Sequence, residues 1–207
     1  MKISYAITVC NELEEINRLL KMLLSVKRDE DEIVVLLDKP KASKQLELLL
    51  EGYAYNESIV LVIDYFEGHF ADWKNKLTSH CKGDYIVNID ADEYPHEDLV
   101  LSLPELLQAN PDVDVFLVPR VNTVEGITQR HVEQWRWHVN GSGWINFPDY
   151  QWRVYKNTPS IKWINKVHER LDGFKRFSYL PQDEEYALYH PKTIEKQEKQ
   201  NNYYNTL

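Results

Sequence analysis

The chain has 207 residues, 43% of them hydrophobic, enough to bury a full core without disulfide or metal staples and few enough for a single domain. Its formal charge of -9 repels a phosphate backbone and no basic stripe offsets it, which argues against general nucleic-acid binding. Apolar runs such as Ile33 to Leu37 and Ile59 to Ile63 fall far short of the roughly 20 residues that span a bilayer, so no transmembrane segment is expected.

In chain order, MKISYAITV begins like a signal peptide, but Asn11 and Glu12 interrupt it before an apolar h-region is complete. A cytoplasmic chain is therefore expected, with Cys10 and Cys81 as buried thiols of a reducing compartment. Ile3 to Val9 reads as a buried strand, and Leu13, Ile16, Leu19, Leu20, Leu23 and Leu24 then share one helical face. The run Asp29 to Glu32 reads as a solvated turn. Strands follow at Ile33 to Asp38, Ile59 to Tyr65 and Tyr85 to Asp90, with helices at Ser43 to Leu50 and Asp72 to Cys81 between them.

This βαβαβαβ order predicts an α/β fold with a mainly parallel Rossmann-type sheet and helices on both faces, binding ligands beyond the carboxyl ends of its strands. Those ends carry Thr8, Asn11 and Glu12, then Asp38, then Asp90, Asp92 and Glu93. Each is a common turn or cap residue, yet three acids separated only by Ala91 would repel one another uncompensated. A hard divalent cation, Mn2+ or Mg2+, would relieve that repulsion and bridge to phosphate oxygens.

The second half is loop-rich and holds Trp135, Trp137, Trp144, Trp152 and Trp163. Such rings build a small core, stack on sugar faces, or do both. Gly141-Ser142-Gly143 supplies a flexible loop, and the tail from Thr193 to Tyr204 has helical character. The expected organisation is one domain: a nucleotide-binding half (1–120), an acceptor and catalytic half (121–192) and a tail (193–207).

Phe70-Ala71-Asp72-Trp73-Lys74-Asn75-Lys76, then Lys82-Gly83-Asp84 and Tyr85 to Glu93, resemble the signature of family 2 glycosyltransferases with the GT-A fold. The opening Ile7-Thr8-Val9-Cys10-Asn11-Glu12 is similar to that family's first strand and turn. Phe147-Pro148-Asp149-Tyr150-Gln151-Trp152-Arg153-Val154-Tyr155 and Lys166-Val167-His168-Glu169 resemble its lipopolysaccharide-core glucosyltransferase branch.

The resemblance implies a GT-A-like domain and an inverting, metal-dependent transfer of a hexose, glucose or galactose, from a UDP-sugar to a saccharide or glycolipid acceptor. It further implies Asp92 and His168 as metal ligands, and Thr8, Asn11, Glu12, Asp38, Lys74, Asp90 and Ala91 around the nucleotide-sugar. Asp149 becomes the catalytic base or else a turn cap, with Glu125, Glu133 and Glu169 as substitutes. Trp144, Trp152 and Arg153 are placed on the acceptor or donor-sugar wall. A nucleotidyltransferase would need a glycine-rich basic loop, absent between Thr8 and Glu14, and a carbohydrate-binding module would not need the acids.

Overall fold

The computed structural model describes residues 1–204. The first half alternates as expected: β1 (Ile3–Val9), α1 (Leu13–Val26), β2 (Glu32–Asp38), α2 (Lys44–Tyr55), β3 (Val60–Asp64), α3 (Phe70–Ser79) and β4 (Tyr85–Asp90). There follow β5 (Tyr94–Pro95), α4 (Glu97–Ala109), β6 (Val115–Val118), β7 (Arg120–Glu125) and α5 (Gln129–Trp135). The chain continues through β8 (Gln151–Lys156), β9 (Lys162–Ile164), β10 (Arg170–Asp172), β11 (Phe177–Tyr179), β12 (Leu188–Thr193) and α6 (Ile194–Tyr204).

Local chemistry explains the helices. In α1 the buried Ile16, Leu19, Leu20 and Leu23 recur at helical spacing, while Glu14 and Glu15 favour the positive N-terminal dipole. Ser43 caps α2 by accepting from Leu46 N–H, and His69 caps α3 by accepting from Asp72 N–H. The central sheet runs β11-β6-β8-β4-β1-β2-β3. Ile3, Tyr5, Ile7 and Val9 face the cluster beneath α1 and α4, and Ala6 faces the one beneath α3.

Two features of the topology position the site. β8 inserts antiparallel beside β4, pairing Val87 with Val154, and so carries the residues before it to the carboxyl end of β4. β12 pairs with β5 and β7 in a second sheet that sets His190 directly opposite Asn122. α6 then returns the chain along β12 and β7.

Three expectations change. Asp31 is buried rather than solvated: it accepts from Ile3 N–H at 2.8 Å and pairs with Arg28, because the first strand's amide needs an acceptor there. Glu32 likewise opens β2 and pairs with Lys2. Cys81 is buried, but Cys10 is only partly so, since it stands where β1 opens toward the pocket described below; burial, then the Glu12 charge, push its thiol up to about 11. The Gly141 to Gly143 segment is an ordered turn in which Asn140 Oδ1 accepts from Ser142 and Trp144 N–H.

Gly83 lets the start of β4 lie against β1: a Cβ there would meet Ser4 N at 2.6 Å and the Ile3 carbonyl carbon at 2.9 Å. Gly83→Ala is therefore expected to destabilise the fold by about 1–3 kcal/mol in urea unfolding, and a change below about 0.5 kcal/mol would contradict this packing.

Candidate functional site

A pocket of about 700 Å³ opens at the carboxyl ends of β1, β2 and β4, closed on its other sides by β7, β8, β12 and α6. The register of β1 and β4 puts Thr8 beside Asp90, with the Thr8 hydroxyl 3.3 Å from Asp90 Oδ1. Beyond Asp90 the chain turns sharply, Glu93 N–H donating to the Asp90 carbonyl at 2.9 Å. Three carboxylates leave this one turn in different directions.

Each of them finds a cation. Glu93, 1% exposed, accepts from Arg153 Nη2 at 2.7 Å and Arg120 Nη1 at 2.8 Å. Arg153 Nη2 also donates to Asp90 Oδ2 at 2.7 Å, and Lys74 Nζ stands 3.4 Å from Asp90 Oδ1. Burial would raise the Asp90 carboxyl, but Arg153, Lys74 and Arg120 outweigh it and hold it far below the usual carboxylate range. Asp92 points elsewhere, toward His190 Nε2 and Lys196 Nζ, each 3.4 Å from its Oδ2. Burial again opposes ionisation there, and His190, Lys196 and Lys192 override it.

Much of the repulsion read from the sequence is thus relieved within the fold by Lys74 and by side chains of the second half. That leaves the question of whether a cation still fits. Among the described residues no three His, Cys, Asp or Glu side chains close on one point, so there is no all-protein cage. Asp92 with His168 and His190 in the same pocket fits Mg2+ or Mn2+ of the kind that takes one or two protein ligands and completes its shell with substrate phosphate oxygens.

Asp149 lies across the pocket with a φ of +31°. Its Oδ2 accepts from Arg120 at 2.7 and 3.0 Å and from Asn122 Nδ2 at 2.7 Å, while Oδ1 accepts from Gln151 at 3.1 Å. Because Asn122 gives its amide protons to Asp149, its carbonyl faces His190 Nδ1 at 3.0 Å. Nδ1 is thus the nitrogen turned to Asn122, and Nε2 is the nitrogen turned to Asp92. One chain of contacts links Arg120, Asp149, Asn122, His190 and Asp92.

Of the remaining sequence candidates, Thr8, Glu12, Asp38, Lys74, Ala91, His168 and Trp152 line the pocket. Asn11 is exposed and lies outside the lining, because Glu12 folds back to accept from the N–H groups of Cys10 and Asn11. Asp38 accepts from Phe66 N–H at 3.0 Å. Lys74, 4% exposed, bonds Glu169 at 2.7 Å and sits 4.7 Å from the Trp163 ring centre. His168 has a φ of +53°.

Trp144 and Arg153 are the other wall candidates. Trp144 packs on Phe147 outside the lining, and Trp137 stands in the pocket instead. Arg153 lines the pocket but is only 4% exposed, lying between Asp90 and Glu93 and donating to both. Among the substitute bases only Glu169 lines the pocket, already paired with Lys74, and Glu125 and Glu133 do not.

Sequence reasoning missed Arg120, Asn122, His190, Lys192 and Lys196. The polar-apolar alternation of Arg120-Val121-Asn122 signalled a strand with a polar face but not what that face meets. Lys192 stands near the end of β12 and Lys196 in the tail, whose sequence gives no sign that it folds over the site. The Arg153–Glu93 pair makes a measurable claim. In a double-mutant cycle of Arg153→Met and Glu93→Gln, urea unfolding should give a coupling of about 1–3 kcal/mol, with Arg153→Met alone costing about 3 kcal/mol. Additive effects would show that the pair does not hold the turn.

Residues 4–177 match the Glycosyl transferase family 2. A search of curated proteins finds no match. Among solved structures, Staphylococcus aureus TarS residues 1-349 in complex with UDP-GlcNAc superposes with a TM-score of 0.62 at 18% identity, covering 93% of this chain and 59% of that one. The same protein in complex with UDP gives a TM-score of 0.60 at 17% identity over 92% of this chain and 60% of that one. A further TarS structure gives 0.60 at 16% identity, covering 92% of this chain and 37% of that one. The chain therefore spans about three fifths or less of the TarS chains it resembles, and shares with them a GT-A fold.

Proposed function

Since the chain belongs to glycosyltransferase family 2, we propose that it transfers a hexose, glucose or galactose, from a UDP-sugar to a saccharide or glycolipid acceptor with inversion at the anomeric carbon. The observation that carries this reading is the convergence of Asp90, Asp92 and Asp149 on one pocket at the strand ends, with aromatic rings on its rim. The UDP-GlcNAc and UDP complexes of TarS are in keeping with a uridine donor. The resemblance of Phe147 to Tyr155 and of Lys166 to Glu169 to the lipopolysaccharide-core branch favours glucose and a glycolipid or saccharide acceptor.

In this mechanism Thr8, Glu12, Asp38 and Lys74 surround the nucleotide, and Asp90 is kept ionised and immobile by Arg153 and Lys74. Asp92, with His168 or His190, would hold Mn2+ or Mg2+, which when bound neutralises charge on the leaving diphosphate. Asp149 lines the pocket and is anchored by Arg120 and Asn122 at Oδ2 and by Gln151 at Oδ1. As the acceptor oxygen forms its bond to the anomeric carbon and the bond to UDP breaks, the acceptor's hydroxyl proton passes to Asp149.

The test separates binding from turnover. Asp149→Asn should bind UDP within about threefold of wild type by calorimetry, and lose sugar transfer by roughly 10²-fold or more in a screen of UDP-hexoses against saccharide acceptors. Transfer within a few-fold of wild type would remove Asp149 from the chemistry and direct attention to Glu169.

A further inference from the structure

Outside the pocket, the face of the sheet formed by β8, β6 and β11 carries a continuous strip of aromatic rings. It begins at Trp152, which lines the pocket three residues after Asp149. The Trp152 ring lies 5.5 Å from Phe174 and 6.0 Å from Phe177, and Phe177 lies 5.7 Å from Tyr179. Tyr179 meets Tyr150 at 4.6 Å, and Tyr150 is anchored by its hydroxyl to the Leu180 carbonyl. Phe177 and Tyr179, two apart on the edge strand β11, share one face and are 48% and 53% exposed.

We propose that this strip is an acceptor platform, on which successive units of a saccharide chain stack while its terminal hydroxyl enters the pocket beside Asp149. The proposal rests on the reading of the pocket as a sugar-transfer site and names the part of the substrate the pocket itself does not hold. Three observations favour a saccharide as the occupant. The strip is continuous with the pocket at Trp152, so whatever lies along it is aligned with Asp149.

The second observation is that the rings are fixed by edge-on contacts with one another, at interplanar angles of 62°, 80° and 78°, and by the Tyr150 hydroxyl, which pre-orders exposed aromatic surface of the kind that packs against pyranose rings. The third is polarity at the edge of the strip: Tyr179, 53% exposed, carries its hydroxyl beyond the apolar ring, where it can hydrogen-bond a sugar hydroxyl. A chain that is apolar on its ring faces and polar at its edges matches this pattern better than a uniformly apolar partner.

The experiment uses the whole chain labelled with ¹⁵N at tryptophan, saturated with UDP and Mn2+, and titrated with cellotetraose, chitotetraose and maltotetraose. At least one tetraose should shift the Trp152 indole resonance and bind about tenfold or more tightly than its monosaccharide. The double variant Phe177→Ala, Tyr179→Ala removes exposed rings; it should keep the wild-type melting temperature within a few degrees and UDP affinity within twofold, and lose that tenfold gain. Tetraose affinity unchanged in the variant, or no Trp152 shift with any tetraose while UDP still binds, overturns the platform alone. Failure of wild type to bind UDP at all would overturn the donor-site reading and the platform with it. A dimer of wild type that the variant converts to monomer, without any saccharide effect, would show that the strip serves a second copy of the chain instead.

Discussion

Two arginine side chains from the second half of the chain, Arg120 and Arg153, hold the carboxylates of the turn after β4 in place. A turn bearing Asp90, Asp92 and Glu93 within four residues cannot fold into a partly dry pocket unless its charges are matched, because an unpaired buried carboxylate costs several kcal/mol. Arg153 divides one guanidinium between Asp90 and Glu93, and Arg120 divides another between Glu93 and Asp149. The Asp90 and Asp149 sides of the pocket are thereby tied to one buried residue, Glu93, which itself stands outside the lining.

The topology reads as the means of making those contacts. Antiparallel insertion of β8 next to β4 aims Arg153 at the turn from the side, and β7 brings Arg120 and Asn122 from above. β12 adds His190 opposite Asn122, and α6 adds Lys196 to Asp92. Asp92 differs from its neighbours in kind. Its partners stand at 3.4 Å rather than 2.7 Å, and one of them is a lysine also shared with Glu15. Asp92 is thus the acid of the three whose partners are most readily exchanged for a cation and a diphosphate.

How much of this the sequence disclosed follows from where the information lies. The strands and helices through β4 were legible because each buried face repeats its period within a few residues, but the pairing of β1 with β4 that sets Thr8 beside Asp90 was not. The acid turn was legible as a cluster of charge, but local sequence cannot show the arginines that reach it from 27 and 60 residues away. Strand order was hidden for the same reason, since β8 joins the sheet out of chain order. Asp31 looked solvated only because its acceptor role depends on the Ile3 amide across the sheet. The tryptophans were recognised as a group, but which of them enter the pocket depends on loop paths that carry no periodic signal.

The central claim is that the fold already satisfies Asp90 and Glu93, and that Asp92 alone exchanges its partners when a donor arrives with its cation. Titration of Mn2+ into the wild-type protein, followed by electron paramagnetic resonance with and without UDP, tests it directly. With no three-ligand cage among the described residues, Mn2+ should bind weakly alone, and UDP should tighten it by tenfold or more, with Mn2+ tightening UDP by the same factor. Equal Mn2+ affinity with and without UDP would contradict the account.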